Sequence, residues 1–166
     1  AYIIQYDTKK RGDIHADEIR LWQSKLTKDD YVYKLLHLET EILRHYNLSH
    51  EESMKLIAEQ YRAMAKELVD NHLYQNNDIV AGIFSGKGFL FSRFGVELSQ
   101  YSKSKGIQNE ILDVILKQVL NEETSREGES LLTYFLIDVD DKNVLAEVYD
   151  TILESKKKYL LVAAYA

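Results

Sequence analysis

The chain has 166 residues, a formal net charge of −6 at pH 7, and 45% hydrophobic against 29% charged residues. This is ordinary globular composition, too apolar for an intrinsically disordered chain. The sequence contains no cysteine, which excludes disulfides, thiolate nucleophiles, zinc–thiolate sites and iron–sulfur clusters, because each of these needs a cysteine sulfur.

The length and the lack of an internal linker predict one domain over residues 1–166. The chain has no proline, no low-complexity stretch and no self-similar period, so we find no domain boundary. No stretch approaches the ~20 apolar residues of a membrane helix, and no signal-peptide pattern opens the chain. We therefore expect a cytoplasmic protein that does not engage a membrane, although the start at Ala1 rather than Met leaves a removed leader open.

The first third of the chain predicts a short strand followed by two helices. Residues 1–6 (AYIIQY) are apolar and rich in β-branched and aromatic side chains, which favours an opening strand. The spacing of Ile19, Trp22 and Leu26 is helical. A second helix follows and runs to about Tyr46.

A long third helix is predicted to begin at a capping box. Ser49 followed by Glu52 is the sequence pattern in which each residue satisfies the other's backbone N–H. Apolar residues then recur at helical spacing to about Tyr74. These residues are Met54, Ile57, Tyr61, Met64 and Leu68.

Residues 79–99 contain two apolar runs on either side of the tetrad Ser85–Gly88 (SGKG). This arrangement predicts a hairpin. A broken helix remains the rival, because period alone does not assign a short apolar run.

The last third contains two helical patterns and two ambiguous segments. Apolar spacing predicts a helix from Ile107 to Val119, ended by a polar stretch at Gly128, and another from Val144 to Leu153. Residues 130–139 and 157–166 fit strand or helix equally. The fold is therefore predicted as mainly α, a multi-helix bundle with a small β element made of the opening strand and the hairpin near 79–99. The alternative is an α+β fold with strands at both termini.

Three potential metal ligands share one face of the second predicted helix. His37, Glu41 and His45 are spaced four residues apart, which projects them in the same direction. The helical phase places them opposite the apolar arc. We therefore favour a solvated polar face and retain the three as a candidate metal set.

Two ionisable residues fall on core-facing stripes instead. Glu39 lies in the apolar arc of the second helix and His72 in that of the third. If the turn near Leu48 joins antiparallel helices, Glu39 lies within about one turn of Tyr61, whose hydroxyl would satisfy the carboxylate. The same geometry keeps His72 away from Glu39, and satisfied core groups are favoured over an acid–base pair.

The tetrad at residues 85–88 offers backbone amides and Lys87 to an anion. A P-loop requires Gly-Lys followed by Ser or Thr, whereas Lys87 is followed by Gly88 and Phe89. A turn is favoured.

We carry Glu39, Tyr61, His72 and Lys87 forward as the candidate binding residues.

No motif for catalysis or for a cofactor is present, so none is predicted. DVDDKN at 138–143 departs from a calcium loop, with Lys142 and Asn143 where a ligand and a glycine belong. Asp140 or Asp141 is instead expected to cap the following helix. No serine lies in a nucleophile elbow, and no His-Glu-x-x-His pair occurs.

These observations favour a non-catalytic binding or regulatory protein that acts through protein–protein contacts. The negative charge suits the masking of a basic partner, as inhibitors and antitoxin-like factors do, and it disfavours nucleic acid. A homo-oligomer is left open. The alternative is a small-molecule-binding or enzymatic helical domain with a pocket near Glu39, Tyr61, His72 and the Ser85–Gly88 loop.

Overall fold

The computed structural model describes residues 31–45, 48–86, 91–121 and 123–161. Within these ranges the chain forms seven α-helices and no strand, so the mainly α prediction is confirmed. No helix in these ranges has the length and apolar character needed to cross a bilayer. The helices are α1 Tyr31–His45, α2 His50–Asp70, α3 Asn77–Ser85, α4 Phe91–Ser104, α5 Gln108–Asn121, α6 Arg126–Leu136 and α7 Lys142–Leu153, with a 3-10 turn at Leu73–Gln75.

The predicted hairpin near 79–99 is wrong, because helices α3 and α4 occupy both of its arms. The Asn76 side chain accepts hydrogen bonds from the backbone N–H groups of Asp78 and Ile79, at 3.0 and 3.2 Å, and so begins α3. Val80, Ile83 and Phe84 are buried, and their spacing of three and four residues is helical. The apolar run is therefore one buried face of a helix.

The α+β alternative is also wrong at residues 130–139, most of which belong to α6. Ser125 caps this helix by accepting from the Gly128 N–H at 3.0 Å. The polar stretch therefore begins a helix where a loop was expected. Residues 157–161 contain turns and the start of a helix, whereas the predicted opening strand at 1–6 and the last residues, 162–166, lie outside the described residues.

The contacts divide the chain into two compact units, residues 1–61 and 62–166, with the boundary inside α2. The prediction of one domain stays a prediction. In the first unit, α2 begins at the predicted capping box, where the Ser49 N–H donates to Glu52 Oε2 at 3.2 Å and the Glu52 N–H to Ser49 Oγ at 3.1 Å. Buried apolar residues then recur at helical spacing on both helices. These are Tyr31, Leu35, Leu38 and Ile42 on α1 and Leu56, Ile57 and Tyr61 on α2.

In the second unit, α4 and α6 form the most extensive helix–helix contact. A glycine permits the close approach, because a Cβ placed on Gly95 would lie 2.7 Å from the Leu131 carbonyl oxygen. Helix α5 packs against α3, α4, α6 and α7. It therefore lies among the helices that border the grooves described below.

The end of the described chain returns to the beginning of α6. Lys157 Nζ lies 3.1 Å from Glu129 Oε2 and donates to Thr124 Oγ1 at 3.0 Å. The Tyr159 hydroxyl donates to the same Glu129 oxygen at 2.6 Å. The middle lysine of the basic run 156–158 thus ties the segment after α7 to α6.

Candidate functional site

Glu39 and Tyr61 meet inside the first unit, as the helical phase predicts. The Tyr61 hydroxyl donates to Glu39 Oε1 at 2.8 Å, and both residues are buried. Burial first, and the negative charge of Glu39 second, raise the pKa of the Tyr61 phenol far above its ordinary value of 10. The phenol therefore keeps its proton and remains a donor, which makes the pair a satisfied polar contact in an apolar core.

The prediction that His72 lies on a core-facing stripe is wrong. Helix α2 ends at Asp70, and His72 adopts the left-handed backbone conformation with φ 55° and ψ 30°. This conformation commonly ends helices. It directs the chain away from the helix, and His72 is exposed.

His72 belongs instead to a short polar chain in the second unit. Its Nδ1 lies 3.4 Å from the Tyr74 hydroxyl, which donates its hydrogen to Glu110 Oε1 at 3.1 Å. Partial desolvation and the Glu110 carboxylate raise the pKa of Tyr74. Since the Tyr74 proton is engaged by Glu110, the Tyr74 oxygen is the acceptor for His72.

An open groove lies beside this polar chain, between α5 and the segment from the 3-10 turn through α3. Its volume is about 630 Å³. The lining residues are Tyr74, Gln75, Asn77, Asp78, Val80, Ala81, Val114, Lys117 and Gln118.

A second groove, of about 700 Å³, lies between α5 and the end of α7. It is lined by Asp113, Leu116, Lys117, Leu120, Thr151, Glu154, Ser155 and Lys156. Lys117 borders both grooves. The outer face of α5 is therefore flanked on two sides by recesses with mixed polar and apolar linings.

The structure describes the candidate metal set of His37, Glu41 and His45 only in part. His37 Nδ1 donates to the Tyr33 carbonyl oxygen at 2.8 Å, and its ring stacks on Tyr33 at 4.0 Å. The side chain of His45 lies outside the described part of the chain. Among the residues whose placement is described, no three His, Cys, Asp or Glu side chains are grouped to hold a metal ion.

The tetrad at 85–88 is described only as far as Gly86. Ser85 ends α3, and its hydroxyl donates to the Gly82 carbonyl oxygen at 3.1 Å. The Gly86 N–H donates to Ile83. Lys87 and Gly88 lie outside the described residues, so the predicted anion contact of Lys87 stays a prediction.

Sequence reasoning missed an ion pair of the second unit whose carboxylate is buried. Glu97, on α4, is 3% exposed and faces the guanidinium groups of Arg62 and Arg93. The signal was present in the i, i+4 pair Arg93–Glu97 and in the position of Glu97 between Phe94 and Leu98 on the apolar stripe. Reading 79–99 as a hairpin concealed it.

Comparison with protein-family models, with curated proteins and with solved structures gives no significant match to this chain. Function is therefore argued from the geometry alone.

Proposed function

We propose that the chain is a non-catalytic binding protein that acts through protein–protein contacts, with the outer face of α5 as its contact surface. The supporting observation is the pair of grooves that open on either side of Lys117. A partner seated on α5 would place side chains in both recesses. We call the lining residues of the two grooves together the α5 surface.

The charge of the α5 surface supports a basic partner. Asp78, Asp113 and Glu154 line the grooves against Lys117 and Lys156, and the chain as a whole carries −6. An acidic surface accelerates encounter with a basic protein and disfavours acidic competitors. The mixed polar and apolar linings suit a contact that forms and dissociates, since the interfaces of such contacts are about as apolar as the rest of a protein surface.

The test compares two charge reversals of equal size. Asp113→Lys changes an exposed residue of the α5 surface, and Glu123→Lys changes an exposed residue outside both grooves. The full chain and the two variants serve as bait in lysate of the source cell, followed by quantitative mass spectrometry. We expect a basic protein that binds the wild type and Glu123→Lys stoichiometrically and binds Asp113→Lys about tenfold more weakly.

Equal recovery on both variants would remove the α5 surface from the proposal. Affinity is then measured with the purified partner at two salt concentrations, because an electrostatically steered contact weakens as salt rises. A salt-independent affinity would contradict the masking of a basic partner.

The chain of His72, Tyr74 and Glu110 supports a second candidate, a small-molecule site in the groove between α3 and α5. Tyr74 both lines that groove and joins His72 to Glu110. A volume of about 630 Å³ lies within the range of small-ligand sites. Native mass spectrometry of the purified chain tests it: a retained small molecule that Tyr74→Phe releases supports this candidate, and a chain that carries no additional mass contradicts it.

A further inference from the structure

Two arginines converge on one buried carboxylate in the second unit. Arg62 Nε and Nη2 lie 3.1 and 3.4 Å from the two oxygens of Glu97, and Arg93 Nη2 lies 3.2 Å from Oε1. The Glu97 side chain is 4% exposed, whereas those of Arg62 and Arg93 are 63% and 50% exposed. The carboxylate is thus enclosed, and both guanidinium groups reach solvent.

One carboxylate cannot satisfy two guanidinium groups. Each guanidinium carries five N–H donors and a full positive charge. Arg62 directs two donors at Glu97 and Arg93 directs one. The remaining donors and one net positive charge are presented to solvent from two groups that Glu97 holds in place.

The neighbouring face of α2 adds no net charge. Lys66 follows Arg62 by four residues and therefore lies on the same face, and it is exposed. One turn further, the Asp70 carboxylate accepts from the Tyr101 hydroxyl at 2.7 and 2.8 Å and offsets the charge of Lys66. The local excess of one positive charge therefore comes from Arg62 and Arg93 against Glu97.

We propose that Arg62 and Arg93, oriented by Glu97, form a binding site for a phosphate group. Two N–H donors of a guanidinium group match two oxygens of a phosphate. Because Glu97 already orients both planar groups, they lose little conformational freedom when phosphate binds. The two arginines against Glu97 leave one net positive charge, which favours an anion. The arrangement goes beyond the protein contact proposed above and does not use the α5 surface.

The second arginine exceeds what the buried carboxylate needs for charge compensation. A bidentate Arg62–Glu97 pair alone compensates the buried charge. Arg93 adds a second cation, which its i, i+4 pair with Glu97 holds beside the first. Bound phosphate completes that charge balance.

The first experiment titrates the full chain with inorganic phosphate at low ionic strength by calorimetry. We expect saturable one-to-one binding that Arg62→Gln or Arg93→Gln weakens about tenfold or more. The matched control is Arg126→Gln, which removes an exposed arginine from the first turn of α6 and is expected to change the affinity less than about twofold. Absence of saturable binding, or equal loss in all three variants, would overturn the proposal.

Conservative variants keep the test valid if a glutamine variant does not fold. Arg62→Lys and Arg93→Lys retain a cation beside Glu97 but lose the planar fork. We expect circular dichroism and urea unfolding close to the wild type, with phosphate affinity reduced severalfold. Lysine variants that bind phosphate as tightly as the wild type would refute recognition by the guanidinium pair.

A third arm separates the two sources of a phosphate group. A blocked phosphoserine tripeptide is titrated beside its unphosphorylated form and beside inorganic phosphate. Tighter binding of the phosphotripeptide than of inorganic phosphate assigns the site to a phosphorylated protein partner, and equal binding assigns it to a free phosphate ester. Equal binding of the tripeptide with and without phosphate would contradict the site.

Discussion

His72 adopts a backbone conformation that is strained for a residue with a side chain. Its φ of 55° is the only positive value at a non-glycine residue within the described ranges. A side chain in this region costs about 1–2 kcal/mol relative to right-handed backbone, and glycine avoids the cost. The weak contact with Tyr74 at 3.4 Å offsets little of it.

We predict that His72→Gly raises the free energy of unfolding by about 0.5–1 kcal/mol. The relief of the left-handed strain exceeds the greater entropy that glycine has in the unfolded chain. Urea denaturation measures the change. His72→Ala is the matched control, since it removes the same ring but keeps the Cβ; an alanine variant as stable as the glycine variant would show that strain is absent.

The position of a side chain was predicted correctly within a helix, where helical phase determines it. It was predicted wrongly for His72, which lies beyond the end of α2. The Glu39–Tyr61 contact followed from helical phase and an assumed antiparallel turn. His72 was placed on the core stripe because neither glycine nor proline marks the end of α2. Glu97 could be found only after α4 was recognised as a helix.

Close approach between elements depends on Gly128. A Cβ at this position would lie 2.5 Å from the Phe84 carbonyl oxygen and 3.1 Å from the Phe84 Cα. These are backbone atoms, so no rotamer change relieves the overlap. The first turn of α6 therefore reaches the end of α3 only with glycine at this position.

We predict that Gly128→Ala lowers the free energy of unfolding by about 1–3 kcal/mol, although alanine favours a helix by about 1 kcal/mol. Thermal or urea unfolding measures the loss. Arg126→Ala, at an exposed position in the same turn, is expected to change stability by less than about 0.5 kcal/mol. A stabilising Gly128→Ala would mean that α3 and α6 separate without cost.

Helices α2 and α7 were predicted together with their capping residues, whereas the apolar run of α3 was interpreted as a strand although a cap precedes it. The box of Ser49 and Glu52 located α2, and Asp141 caps α7 by accepting from the N–H groups of Asn143 and Val144. Helix α3 has nine residues. A segment this short does not distinguish the helical period of 3.6 from the alternation of a strand. Asn76, which caps α3, is the residue in the sequence that indicates the start of a helix here.

At the scale of the whole molecule, the buried Tyr61 links stability to alkaline pH. The folded state holds the Tyr61 proton above pH 10, whereas the unfolded chain releases it near its ordinary pKa of 10. A group whose folded pKa is raised stabilises the fold below the unfolded pKa. This stability is lost as pH rises above about 10.

We predict that wild-type stability falls by up to about 1.4 kcal/mol per pH unit above pH 10 through Tyr61 alone. Urea midpoints from pH 8 to 11 measure the slope. Tyr61→Phe provides the comparison: it starts lower, because Glu39 loses a buried donor, but it declines less steeply. Parallel profiles would exclude Tyr61 as the source, since lysine and the remaining tyrosines titrate in both proteins.

The fold class was within reach of the sequence, whereas the α5 surface was not. Helical periodicity and the absence of proline are local properties, so they predicted a mainly α chain. Lys117 lies between two grooves, one beside α3 and the other beside the end of α7. Such long-range packing depends on close contacts like that of Gly95 with Leu131, which no periodicity of one segment encodes.

Ser125 connects the stability of two helix ends that are 41 residues apart. Its N–H and hydroxyl both donate to the Phe84 carbonyl oxygen, at 2.9 and 3.1 Å, while the same hydroxyl accepts from the Gly128 N–H at 3.0 Å. We therefore expect the end of α3 and the start of α6 to fray together, with amide protons that exchange with solvent as one cooperative unit. During synthesis, the Phe84 carbonyl oxygen gains the two donors of Ser125 only after Ser125 has emerged and the chain between them, which includes α4 and α5, has brought its ends together.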